Sequence, residues 1–206
     1  MRTFIRLIGL AASIAATVSC GDVVRQGSSP VFLVIDSLAG IRGGSAAPTP
    51  STPLISDVIT NITTPAPCST LAPCPTIFGD SGTVALRAPL KDIGSGLSPT
   101  TNNEVTITRY HVTYIRADGR NTQGVDVPYA FDGAVTITIT AGGTANTGFD
   151  LVRVVAKEEA PLVQLKTSSN FISAIAQVTF YGVDRTGNAV SVMGQIGIQF
   201  GNFGDF

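Results

Sequence analysis

The sequence predicts an all-β protein, an antiparallel β-sandwich of about seven to nine strands. Three observations carry that expectation. From Thr83 onward apolar and polar residues alternate with a period of two. Turn formers are abundant, with Gly 22 and Pro 12 among 206 residues, and they fall between the alternating runs. No long stretch repeats its apolar residues at helical spacing. Hydrophobic residues make up 44% of the chain, which is enough for a core, and with no Trp the large core volumes must come from Phe and Tyr.

The surest strand runs through Val135, Ile137 and Ile139 on one face and Thr136, Thr138 and Thr140 on the other. A second places Val190, Val192, Ile196, Ile198 and Phe200 together, with Gly194 interrupting the stripe. In Ala174 to Gly182, Ala176, Val178 and Phe180 share a face. That strand meets the next through Asp184-Arg185-Thr186-Gly187-Asn188, where Asp first and Gly fourth suit a type I turn closing a C-terminal hairpin. Between Glu104 and Arg116 the inward parity changes from Val105 and Ile107 to Tyr110, Val112 and Tyr114, which predicts a bulge near Arg109. Phe149 to Leu165 is ambiguous by period, and its Val content and Pro161 favour a strand followed by a short turn over a helix. Earlier, Val31 to Ile35 is a compact apolar run. Residues 37–82 read as a loop-rich insertion, with seven prolines and thirteen Ser/Thr around one strand candidate, Leu54 to Thr60.

The first 19 residues read as a secretory signal peptide. Arg2 and Arg6 precede an apolar stretch from Leu7 to Val18, which is 12 residues and too short for a permanent span, and small residues follow. Thr17-Val18-Ser19-Cys20-Gly21 resembles the lipobox of bacterial lipoproteins, with Thr17 standing where Leu is usual. The resemblance implies cleavage before Cys20 and lipidation of its thiol, so that the chain is exported and held at the membrane of a bacterial envelope; residues 20–30 then read as a tether and 31–206 as the sandwich. An ordinary cleavage near Ser19, with Cys20 a bystander, is the alternative. Export fits the remaining cysteines, since Cys68 and Cys74 form an even pair, most simply a disulfide in an oxidising compartment.

Charge excludes some partners. Lys+Arg 13 against Asp+Glu 14 leaves no basic footprint for nucleic acid. Metal and cofactor signatures are also missing. Two cysteines and one distant His111 do not make a zinc site. The turn aspartates Asp118, Asp126, Asp132, Asp150 and Asp184 lack the spacing of a calcium loop. Gly142-Gly143-Thr144 lacks the Lys of a phosphate loop. Gly79-Asp80-Ser81-Gly82 is similar to the nucleophile motif of trypsin-like serine proteases, but Thr83 replaces a Gly and His111 follows where the base should precede, so a turn before a strand is the reading and no catalytic residue is assigned. His111 takes the parity opposite Tyr110 and faces solvent or a sheet edge.

Ala176 to Val190, with Asp184-Arg185-Thr186-Gly187-Asn188 at its turn, resembles the last hairpin of bacterial immunoglobulin-like domains. Together with Thr106 to Ala130 it makes the chain similar to a group of uncharacterised bacterial exported lipoproteins. That resemblance implies an immunoglobulin-like sandwich and an envelope location, and no activity. The functional expectation is a non-catalytic envelope lipoprotein serving as a structural or interaction module. The alternative is a secreted or surface domain, adhesin-like, that binds glycan or protein through a strip including Tyr110 and Tyr114, with Tyr129, Tyr181 and Phe203 beside them. Core packing is the competing role for those rings.

Overall fold

The computed structural model describes residues 28–45, 47–91 and 99–204. The expected signal peptide, Cys20 and most of the tether lie outside the described residues. Ten strands form among those described: β1 (Val34–Ile41), β2 (Leu54–Asp57), β3 (Thr60–Ile62), β4 (Cys74–Thr76), β5 (Asp80–Arg87), β6 (Val105–Ile115), β7 (Phe131–Ile139), β8 (Thr144–Val152), β9 (Phe171–Asp184) and β10 (Ala189–Gly201). One short helix, α1 (Val154–Glu158), and a 3₁₀ turn at Leu162–Thr167 follow β8.

The strands make two main sheets, one ordered β1-β5-β8 and one ordered β2-β10-β9-β6-β7, and β3 pairs with β4 in a small ribbon. All pairings are antiparallel except β2 with β10. The two sheets bury one continuous core between them, so the chain is an all-β sandwich. Val84, Leu86, Phe149 and Leu151 come to it from the smaller sheet, and Ile107, Val112, Val178, Phe180, Ile196 and Phe200 from the larger. Alternation follows from this one-sided burial, because each strand turns every second side chain to the core and its neighbours to water.

At its centre, Tyr110 packs edge-on against Phe149 at 5.2 Å, and Phe149 against Phe180 at 5.3 Å. Two glycines make room for these rings. A Cβ at Gly82 would stand 2.3 Å from the Phe149 ring, and one at Gly133 would stand 2.2 Å from the Tyr110 ring. These rings lie flat over bare backbone, which is how a Trp-free core fills its middle.

The phase change in β6 is a register shift between Ile107 and Arg109 on both of its neighbours. The extra residue, Thr108, lets Ile107 and Tyr110 both point inward. At the C-terminal hairpin Gly187 has φ 87°, the left-handed conformation the turn requires. Asp184 ties that turn down, its carboxylate accepting from the backbone N–H groups of Thr186 and Asn188, each at 2.9 Å, and from both side chains. Although burial opposes it, these hydrogen bonds from Asn188 and Thr186 hold the Asp184 carboxyl down to about 2.

In the proline-rich stretch the strand candidate Leu54 to Thr60 contains β2, an edge strand of the larger sheet, while β1 runs into the stretch and β5 starts before it ends. Its loops are confined to the connections, where Cys68 and Cys74 form a disulfide beside the β3–β4 ribbon. After β8, Val154 and Val155 open a helix instead of continuing a strand. The β propensity of valine is overridden because the helical turn carries Lys157 inward to buried partners.

Candidate functional site

On the outer face of the larger sheet, the side chains left over from core packing form an ordered polar array. Arg109, His111 and Thr113 alternate outward along β6. Asp132 of β7 stands opposite His111, and Tyr181, Thr179 and Gln177 of β9 stand opposite Arg109, His111 and Thr113. These are cross-strand pairs, so the ladder register itself places them side by side.

Asp132 is the hinge of the array. Its Oδ1 accepts from Arg109 at 3.2 Å and lies 3.2 Å from His111 Nδ1. The other imidazole nitrogen, Nε2, lies 2.9 Å from Thr113 Oγ1. Arg109 also sits over the Tyr181 ring, 4.1 Å from its centroid. Next to them, Met193 of β10 is exposed and pairs in register with Thr179.

Thr113, His111 and Asp132 therefore line up as hydroxyl, imidazole and carboxylate. Order alone does not make a nucleophile. Stabilising a developing oxyanion requires donors in a water-excluded site, and here Asp132 is 60% exposed on an open sheet face. What the array can do is present donors, acceptors and an aromatic edge in fixed positions to a surface ligand.

A second polar group lies inside the sandwich, at the end where β2 and β5 meet α1. The Lys157 Nζ donates to Asp80 Oδ2 at 2.8 Å and to the Asp57 carbonyl at 2.7 Å. Ser56 Oγ donates to the same Asp80 Oδ2, and the Gly43 N–H donates to Asp80 Oδ1 at 2.8 Å. Arg42 pairs with Asp57 Oδ2, while Asp57 Oδ1 accepts from the Phe203 N–H at 3.2 Å. The Lys157 and Asp80 side chains are 1% and 0% exposed. Burial pushes the Lys157 ammonium below the ordinary lysine range, against the pull of Asp80.

The ligand strip expected at Tyr110 and Tyr114 is corrected. Both rings point into the core, 3% and 1% exposed, because the shifted parity of β6 turns them inward. Their hydroxyls are used internally: Tyr110 Oη accepts from the Asp150 N–H at 3.0 Å, and Tyr114 donates to the Leu151 carbonyl at 2.6 Å. Desolvation raises both phenols. Tyr129 is exposed and Tyr181 is half-buried on the outer face. Phe203 folds back against Gly201.

Ser81 lies in the smaller sheet opposite Asp150, and His111 in the larger sheet has Thr113 as its hydroxyl partner. Asp118 lies between Arg116 and Arg120, and the Arg116 guanidinium brings its carboxyl down to about 2. Among the described residues no group of three or more His, Cys, Asp and Glu is placed to hold a metal ion. Sequence reasoning passed over Arg109 and the interior cluster. One signal for the cluster lies in the sequence itself, since Asp57 is a lone carboxylate inside the apolar run Leu54 to Ile59.

Compared with known proteins, the chain matches no family model and no curated protein sequence.

Proposed function

We propose that this protein is a non-catalytic lipoprotein of the bacterial cell envelope, an immunoglobulin-like interaction module whose contact surface is the outer face of the larger sheet. The observation that carries the reading is the array of Arg109, His111, Asp132 and Tyr181, held in register on an open face instead of at the bottom of a pocket. The hollows at Arg42, Thr49 and Ile55 and at Val31, Phe32 and Val190 are open to solvent.

Strand order supports the immunoglobulin-like assignment. In it β1, β5 and β8 take the places of strands A, B and E, and β10, β9, β6 and β7 those of G, F, C and C′. The parallel pairing of β2 with β10 fits a first strand that switches sheets. The lipobox-like Thr17 to Gly21 and the Cys68–Cys74 disulfide support export and anchoring through Cys20. A lipid at Cys20 is the proposed attachment.

Labelling of producing cells with a radioactive fatty acid tests the anchor. Label is expected on the natural chain and not on a Cys20→Ser variant. Label that persists in the variant removes the anchor.

The chemistry of the same face favours a second reading, glycan recognition, because a cation stacked on an aromatic ring beside a carboxylate suits neutral or acidic sugars. Glycan-array binding that disappears with Tyr181→Ala would select this reading over a protein partner.

A further inference from the structure

The interior cluster has the parts of a bond-forming site. An amine and a carboxyl group are in direct contact, Lys157 Nζ to Asp80 Oδ2 at 2.8 Å, and neither side chain reaches water. Positioning of this kind replaces a bimolecular encounter with an intramolecular one, and effective molarities of about 10⁵ M or more are known for well-aligned groups. In a medium of low polarity the charge-separated pair also loses much of its advantage over the neutral amine and acid. Burial already disfavours the Lys157 ammonium.

The two oxygens of Asp80 are not equivalent. Oδ1 accepts from the Gly43 N–H at 2.8 Å, a fixed donor where negative charge would grow during attack on the carboxyl carbon. Oδ2 is met by the two proton-bearing groups, Lys157 Nζ and Ser56 Oγ. One oxygen is thus held as a carbonyl oxygen and the other is surrounded by protons, the asymmetry a leaving hydroxyl needs. Nζ is aimed by its second hydrogen bond, to the Asp57 carbonyl at 2.7 Å. Arg42 occupies the Asp57 carboxylate, so Asp80 is the carboxyl group in contact with the amine.

We propose that Lys157 Nζ and Asp80 Cγ condense to an intramolecular amide, joining α1 to the first residue of β5 with release of one water. The step balances without any other reactant. The ammonium passes one proton to Oδ2, giving amine and carboxylic acid. The nitrogen lone pair attacks Cγ, and the electrons of the Cγ–Oδ1 double bond move onto Oδ1. A second proton travels from nitrogen to Oδ2, with Ser56 Oγ giving one proton to Oδ2 and taking one from nitrogen. The Cγ–Oδ2 bond breaks, water leaves, and the double bond to Oδ1 returns. The remaining proton stays as the amide N–H, which still donates to the Asp57 carbonyl.

Peptide mapping of the full chain reads the bond directly, whatever happens at the N-terminus. After reduction, trypsin should yield a branched species, residues 43–87 joined to residues 154–166, lighter than the two peptides by one water and uncleaved at Lys157. That species should predominate. In Asp80→Asn the same junction should form with loss of ammonia instead of water, and in Lys157→Arg it should be absent. Free 43–87, with trypsin cleaving after Lys157, as the predominant products of the natural chain would overturn the proposal and leave a buried ion pair. The natural chain alone decides the question, so a variant that fails to fold does not protect the idea.

Discussion

The polar cluster around Lys157 and the array around Arg109 use the same kinds of side chain, a cation, carboxylates and a hydroxyl, yet they stand on opposite sides of one sheet. Inside, the Lys157 and Asp80 side chains are buried: Lys157 Nζ donates to Asp80 and to the Asp57 carbonyl of β2, and Asp80 also accepts from Ser56 of β2 and from the Gly43 N–H. Outside, Arg109 and Asp132 keep 55% and 60% of their side-chain exposure. The two sites differ in where each group's energy goes. A desolvated pair cannot lose one member without stranding the other, so the inner cluster is bound up with folding. A hydrated pair exchanges protein contacts for water at little cost, so the outer array is free to meet a ligand.

The sharpest way to break that contrast is Lys157→Met. It leaves Asp80 charged and buried and also removes the proposed Lys157–Asp80 link, and unfolding by denaturant should show a loss of at least about 3 kcal/mol. A loss near zero would mean the cluster is wetter than its burial indicates. Next comes the pair Cys68→Ser with Cys74→Ser. It removes a short covalent loop beside the β3–β4 ribbon, and the midpoint of unfolding should fall by the equivalent of about 2 kcal/mol.

The Asp184 turn gives an acid-side test. Its folded carboxyl is held at about 2, against an ordinary 3.8. A depressed folded value stabilises the native state above the unfolded one and is lost as pH falls. Stability should therefore drop by about 1–2 kcal/mol between pH 4 and 2, and the drop should shrink in Asp184→Asn. The smallest stability effect is expected from Arg109→Ala, below about 1 kcal/mol by thermal unfolding, with any ligand binding lost.

Much of the sandwich was legible because a one-sided strand writes its burial into alternate residues. Val135, Ile139, Val178, Phe180 and Ile198 face the core as their parity requires. The bulge showed as a slip of phase, and the last turn as Asp and Gly at fixed offsets. The interior cluster was not legible, because Asp57, Asp80 and Lys157 are far apart in sequence and only the packing of two sheets and a helix brings them together. The same limit applies to α1, whose valines favour a strand and whose helical turn is fixed by the contacts of Lys157. Tyr110 and Tyr114 show the reverse case. Their inward parity was readable, and the ligand role expected of them conflicts with it.

The division of labour between the two faces is tested most directly by photocrosslinking in intact producing cells. A photoreactive residue is placed at Thr179, in the middle of the outer array, or at Asn146, exposed on the smaller sheet. A discrete adduct is expected from position 179, disappearing with Arg109→Ala, and none from 146. Equal capture from both positions, or from 146 alone, would contradict it.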